Sequence, residues 1–171
     1  MSSIVTDPTD LNKMRAACQD AAKVLDFLTP HVRAGISTGK LDRLCLAYLD
    51  ELQVESATVG YAPPGYTPFP SSICTSVNHV ICHGIPGDKV LKNGDIMNID
   101  VTIIKDGWFG DTSRMYYIGE PSILARRLTE ITYDCMWLGI AQVKHGATLG
   151  DIGHAIQKYA ESHGFSVVRE Y

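Results

Sequence analysis

Two aspartates, Asp100 and Asp111, are the residues of this 171-residue chain whose spacing most directly permits chemistry. They flank Asp106-Gly107 in the stretch 96–118, IMNIDVTIIKDGWFGDTSRMYYI. An Asp-Gly pair between β-branched runs predicts a two-residue type I′ hairpin, because that turn needs positive φ at both central positions. With that turn, Asp111 falls opposite Thr102 and Asp100 opposite Ser113. The two carboxylates then share one sheet face as diagonal neighbours, about 7–8 Å apart between Cα atoms. A three-residue loop would change the parity and separate them. Carboxylates on one face repel unless a cation lies between them, and Asp100 sits in an apolar run where a bare charge is costly to bury. Gly107 and Gly110 permit close backbone approach. On spacing alone a metal site stands beside two plainer readings: both acids solvated on an open face, or Asp111 ending the strand in an Asx turn.

Three other features bear on chemistry. His83, in Cys-His-Gly-Ile-Pro, follows a short strand and precedes Gly and Pro. A lone histidine is usually structural, but one at a strand end is placed to act. Residues 61–70, YAPPGYTPFP, must form a loop, since four prolines exclude regular structure. Its aromatics suit either a pocket wall or packing onto the same domain. The five cysteines (18, 45, 74, 82, 135) are odd in number and form no Cys-x-x-Cys. Disulfides and a thiolate zinc site are therefore not expected, and a reducing cytoplasm fits.

These residues need elements to hold them. Asp7-Pro8-Thr9-Asp10 predicts a helix start, with Asp7 as N-cap and Pro8 at the first position. Leu11, Met14, Cys18, Ala21, Leu25, Leu28 and Val32 predict an amphipathic helix stopped at Gly35, with Pro30 ending or kinking it. Ser37 or Thr38 caps a second helix with Leu41, Leu44, Cys45, Tyr48, Leu49 and Leu52 inward. Short strands are expected at 54–60, 73–78 and 80–82. Ser122 begins a third helix with a stripe of Leu124, Leu128, Ile131, Cys135 and Leu138, stopped by Gly146. Thr148 and Asp151 resemble a capping box for a fourth, with Ile152, Ala155, Ile156 and Tyr159 inward. Gly164 stops it, and 165–171 reads as a strand.

Length and composition bound the class. The chain is long enough for one domain with a real core, is 45% hydrophobic and 20% charged, and carries net charge −4. No long basic run points to nucleic acid. The N-terminus lacks the pattern of a secretory signal, and no apolar run approaches the roughly 20 residues of a membrane span.

The chain also overlays on itself at a shift of 111 residues. Gly35 meets Gly146, Ser37 meets Thr148, Gly39 meets Gly150, Leu41 meets Ile152 and Tyr48 meets Tyr159. Any two capped helix pairs look somewhat alike, but a gapless run of similar residues favours duplication. The first copy continues into the Asp100/Asp111 hairpin and the second stops short of its equivalent, which predicts a fragment of a longer protein.

Six segments then become recognisable: STGKLDR (37–43), SICTSVN (72–78), CHGIP (82–86), NGDIMNIDV (93–101), DGWFGDTS (106–113) and GFSVVREY (164–171). Together they closely resemble type I methionine aminopeptidase. The resemblance implies the α/β (α+β) "pita-bread" fold: a pseudo-two-fold repeat of a helix pair plus antiparallel sheet. The chain would be one catalytic domain, with an N-terminal half of about 1–119 and the first part of the other half at 120–171. The activity implied is removal of the initiator methionine from nascent polypeptides when the second residue is small, in the cytoplasm and with the ribosome as a conceivable partner. Two divalent ions (Co, Mn, Fe or Zn) are implied, with Asp100 and Asp111 as ligands. His83 matches the substrate-contacting, catalytic histidine, and Tyr61, Phe69 and Cys74 match methionine-pocket positions. The backbone carbonyls of Asn78 and Val80 match a monovalent-cation site of some members.

Three departures qualify the expectation. The family's remaining ligands, one His and two Glu, lie beyond Tyr171, so this chain alone is expected to be inactive. Loop 61–70 is longer and richer in proline than in the simplest members. His79 stands where Glu is usual and reads as an exposed bystander. The rival readings are a proline-specific relative, a catalytically silent scaffold of the same fold, and a fragment that associates with its missing half. A complete protein of this kind is expected to be a monomer.

Overall fold

A computed structural model describes residues 4–169. The chain divides into two compact units, one ending at Pro121 and the other beginning at Ser122.

In the first unit, helix α1 spans Pro8–Leu28, capped by Asp7, whose carboxylate accepts from the Thr9 N–H at 2.7 Å. It stops at a single 3-10 turn, Thr29–His31, so Pro30 ends the helix before Gly35 is reached. Helix α2, Thr38–Leu52, is capped by Ser37. Strands β1 (Glu55–Ser56), β2 (Cys74–Val77), β3 (Ile96–Lys105) and β4 (Trp108–Tyr117) form one antiparallel sheet. β4 pairs along the whole of β3. β1 and β2 share the other edge of β3, β1 at Ile103–Ile104 and β2 at Met97–Asp100. The expected strand at 54–60 is therefore two residues long. Residues 80–82 are not a strand; Ile81 is exposed, and the chain there curls back towards β2.

The hairpin turn is as the Asp-Gly pair predicts. Asp106 has φ +50° and Gly107 φ +81°, and Asp100 pairs with Ser113 and Thr102 with Asp111. β3 alternates from Met97 to Ile103. Met97, Ile99, Val101 and Ile103 are fully buried, while Asn98, Asp100 and Thr102 on the other face are partly exposed. The buried row packs with Ala17, Ala21, Val24 and Leu28 of α1 and with Leu41, Cys45 and Leu49 of α2.

The α1 contact face corrects the expected one. Ala21, Leu25 and Leu28 are buried as expected, but Met14 and Cys18 are exposed, and Ala17 and Asp20 are buried in their place. The reason is close approach: a Cβ on Gly110 of β4 would meet the Ala17 carbonyl oxygen at 2.3 Å, so the helix backbone rests directly on the strand. Asp20 is also on this face and is buried, paired with Lys23 at 2.7 Å and with Lys105 at the hairpin end.

The second unit is a helix pair, α3 (Ile123–Ala141) and α4 (Leu149–Ser162). Ser122 caps α3, and Thr148 and Asp151 form a complete capping box for α4. The expected α3 stripe is covered only in part: Cys135 is buried and Ile131 half-buried, while Leu124, Leu128 and Leu138 are exposed and Gly139, outside the stripe, is buried. Two helices can cover only the line along which they touch, and small residues lie on that line. A Cβ on Gly139 would meet Ile156 at 2.9 Å. Residues 165–169 are not a strand, and Glu170 and Tyr171 lie outside the described residues. Arg127 reaches across the pair's open end, donating to the His163 carbonyl at 3.2 Å and lying over the Phe165 ring. Among the described residues, no helix is long and apolar enough to cross a membrane.

The internal repeat has a structural counterpart in each unit. Gly35 and Gly146 both take positive φ, +89° and +84°. Ser37 and Thr148 both cap the following helix by accepting from the N–H three residues on.

Candidate metal centre

The face of β3 turned away from the core carries Asn98, Asp100 and Thr102. The rows across the sheet set their neighbours. Asp100 lies between Cys74 of β2 and Ser113 of β4, and Asp111 lies beside Thr102. Cys74, Asp100 and Asp111 are thus held on one face by backbone register alone. Burial pushes the Asp100 carboxyl above the usual carboxylate range, and the charge of Asp111 pushes it further; His83 acts in the opposite direction. Burial together with Asp100, Cys82 and Asp111 raises the Cys74 thiol to about 11. Cys74 is therefore a neutral thiol near neutral pH, while the two acids form a repelling pair that a cation would relieve.

His83 sits at φ +55° in a turn folded against β2. The Thr75 N–H donates to the Gly84 carbonyl at 2.7 Å, and the Gly84 N–H donates to the Ser76 hydroxyl at 3.2 Å. A Cβ on Gly84 would come within 2.2 Å of the Thr75 carbonyl oxygen, so only glycine lets the turn close this tightly. The turn brings His83 near enough for its charge to act on Asp100.

The remaining predicted residues are placed differently. Tyr61 is exposed and Phe69 half-buried; they are joined by backbone, with the Phe69 N–H donating to the Tyr61 carbonyl at 2.9 Å. Asn78 uses its side chain on Asp95 and on the Ile96 N–H, at 2.8 and 3.0 Å. Asn78 and Val80 line a cavity of about 210 Å³ with Thr38, Thr75, His79 and Lys89. The sequence reading passed over Ser76 and Cys82. Ser76 shares strand parity with Cys74, which is the signal that could have found it.

Hard carboxylate oxygens suit a divalent cation, and a like-charged, partly buried pair is what such an ion stabilises. Among the described residues no group of three or more His, Cys, Asp and Glu side chains is gathered so as to hold a metal ion, so Asp100 and Asp111 stand as a pair.

With this geometry in place, the comparisons define the class. Residues 12–171 match the profile of metallopeptidase family M24, and the chain belongs to that family. Membership implies divalent metal ions. The chain is 57% identical over 162 residues to a methionine aminopeptidase of Rickettsia prowazekii, covering 95% of this chain and 61% of that one. It is 51% identical over 173 residues to the methionine aminopeptidase of Escherichia coli K12, covering 100% and 64%. It thus spans about three-fifths of the length of these curated relatives. A crystal structure of methionine aminopeptidase from R. prowazekii superimposes with a TM-score of 0.92 at 54% identity, over 98% of this chain and 66% of that one. A Xaa-Pro dipeptidase from Bacillus anthracis shares the fold alone, with a TM-score of 0.79 at 17% identity. The pita-bread fold read from the sequence is the fold observed.

Proposed function

We propose that the protein is a metal-dependent aminopeptidase that removes an N-terminal methionine when the second residue is small. The observation that carries this reading is the diagonal pairing of Asp100 with Asp111, with Cys74 alongside and the His83 turn close by. Identity above 50% to two methionine aminopeptidases supports the same reading.

In this reading Asp100 and Asp111 hold divalent metal, which when bound polarises a scissile carbonyl and lowers the pKa of water. The protein's own groups then have distinct tasks. His83, held by the Gly84–Ser76 contact, hydrogen-bonds the peptide and strengthens that bond as charge develops. Cys74, a neutral thiol, lines the methionine side-chain pocket with Phe69 and Tyr61 without competing as a thiolate for the metal. Thr102 and Ser113 flank the acids and orient them. Asn78 and Val80 offer carbonyls to a monovalent cation that steadies the His83 turn from behind. The whole protein, of whose catalytic domain this chain is a part, acts in the cytoplasm on nascent polypeptides.

The test is hydrolysis of Met-Ala-Ser and Met-Leu-Ser by the protein expressed from its whole gene, with Mn(II), Fe(II), Co(II) or Zn(II) and with EDTA. Metal-dependent release of methionine from Met-Ala-Ser, and little from Met-Leu-Ser, is expected. Metal binding with no cleavage of either peptide would favour a silent scaffold.

A further inference from the structure

His83 is reached from β2 through a short irregular segment, and that segment is fixed at both ends. At its return, Gly84 is hydrogen-bonded to Thr75 and Ser76 of β2. At its departure stands Asn78. The Val80 N–H donates to the Val77 carbonyl at 3.1 Å, which closes a turn over Asn78 and His79. Asn78 enters that turn at φ +55°, and His83, near the other end, also has φ +55°. Among the described residues, the other non-glycine residues with positive φ are Gln53, which ends α2, and Asp106, in the hairpin turn. Such backbone is usual at a helix end or in a type I′ turn. In the His83 segment it has to be held by its surroundings.

At Asn78 those surroundings are one strand and one carboxylate. The Asn78 N–H donates to the Ile96 carbonyl at 2.9 Å, and the Ile96 N–H donates back to Asn78 Oδ1 at 3.0 Å. Asn78 Nδ2 then donates to Asp95 Oδ1 at 2.8 Å. The other carboxylate oxygen, Oδ2, accepts from the Lys92 N–H at 2.9 Å, and the Asp95 carbonyl accepts from the Ile118 N–H at 2.9 Å. Asp95 is only 9% exposed. Burial would raise its carboxyl, but the hydrogen bonds from Asn78 and Lys92 hold it below the usual carboxylate range. A carboxylate only accepts, so facing two donors it turns the Asn78 amide one way round. Asp95 immediately precedes β3, and Ile118 immediately follows β4. Asp95 therefore joins the hairpin that carries the acidic pair to the segment that carries His83.

We propose that Asp95 is a positioning residue for His83. Its carboxylate orients the Asn78 side chain, and Asn78 in turn holds the left-handed departure from β2 that sets where His83 arrives. This rests on the aminopeptidase reading and on the role of His83 within it.

Exchanging the two side chains tests it. Asp95→Asn sets an amide N–H against one of two donors and forfeits a hydrogen bond. Asn78→Asp sets two carboxylates face to face. In the variant carrying both substitutions, the new amide donates to the new carboxylate and still accepts from Lys92, so the hydrogen bonds survive with the charge moved. The measurements are kcat and KM for Met-Ala-Ser, Mn(II) affinity and Tm, on the protein expressed from its whole gene. Each single variant should lower kcat about 10–100-fold, with KM and Mn(II) affinity held within about threefold, because a small misplacement of a catalytic group is costly. The exchanged pair should recover kcat to within about threefold of the parent. In a His83→Ala background, Asp95→Asn should have almost no further effect on kcat, since residues that act as a unit are not additive. A merely structural Asp95 would lower Tm in the single variants and leave turnover by the folded protein alone. Parental kcat in folded Asp95→Asn, the same loss with and without His83, or an exchanged pair that folds yet stays slow each overturns the proposal and leaves the aminopeptidase standing. Should neither single variant fold, the exchanged pair decides. Failure of the parent protein to cleave Met-Ala-Ser defeats the aminopeptidase reading and this role with it.

Discussion

Gly110 of β4 lies directly against the backbone of Ala17 in α1, so close that a Cβ would fall 2.3 Å from the Ala17 carbonyl oxygen and 2.9 Å from the Cys18 nitrogen. Backbone cannot swing aside as a side chain can. Gly110→Ala must push the helix off the sheet, which should cost about 3 kcal/mol and lower Tm by about 10 °C. Because Gly110 precedes Asp111, the same variant should weaken metal binding. Thermal unfolding and metal titration of one sample read both effects, and an unchanged Tm would contradict the contact.

Asp20 governs the acid limb of stability. Burial alone would raise its carboxyl, but hydrogen bonds from Lys105 and Lys23, and their charges, outweigh burial and hold it below the usual range. A group depressed in the folded state contributes stability above its unfolded pKa and loses it as pH falls through the folded value. The contribution should therefore be complete at neutral pH and fade below about pH 4. Asp20→Asn should cost about 2 kcal/mol at pH 7 and much less at pH 2–3. Urea denaturation at several pH values measures the convergence; parallel curves would refute it.

Asp100→Asn and Asp111→Asn test the acidic pair. Loss of an outer-shell partner already weakens metal sites by about 10–100-fold, so loss of a direct ligand should weaken Mn(II) binding at least that much. Without metal, Asp111→Asn removes a charge that raises Asp100, so the variant should be no less stable than the parent. Calorimetric titration and thermal unfolding, with and without Mn(II), distinguish a metal pair from two solvated surface acids.

His83 should matter to turnover more than to metal. His83→Ala is expected to lower kcat about a hundredfold or more while leaving metal affinity within a few-fold. Parallel loss of metal and activity would recast His83 as a ligand.

Much of the first unit was legible in the sequence because local chemistry dictates it. Asp106-Gly107 admits one turn type, that turn fixes the register, and the register alone places Asp111 diagonal to Asp100. Asp7, Ser37, Ser122 and Thr148 announce helix starts through side chains that satisfy nearby N–H groups. What was not legible depends on distant partners. At the start of the α1 face the choice between Met14–Cys18 and Ala17 depends on Gly110, which lies against Ala17. The pairing of Cys74 with Asp100 was not legible, since no tight turn joins β2 to β3. The burial of Asp20 depends on Lys105, 85 residues away in sequence at the end of the hairpin, which no local pattern reveals. In α3 the stripe is right at Cys135 and wrong at Leu124, Leu128 and Leu138, because periodicity marks a face suited to burial and says nothing of what covers it.

β3 has a consequence for how this protein can change. From Met97 to Ile103 its odd-numbered side chains fill the core and its even-numbered ones hold the acid and its neighbours, so the strand behaves like a text read in steps of two. Inserting or deleting one residue would send four aliphatic side chains into solvent and turn a carboxylate into the core. Removing two adjacent residues keeps the step and only shortens the strand. Length variation among proteins built on this sheet should therefore enter β3 in pairs, or be displaced into loop 61–70, where parity carries no meaning.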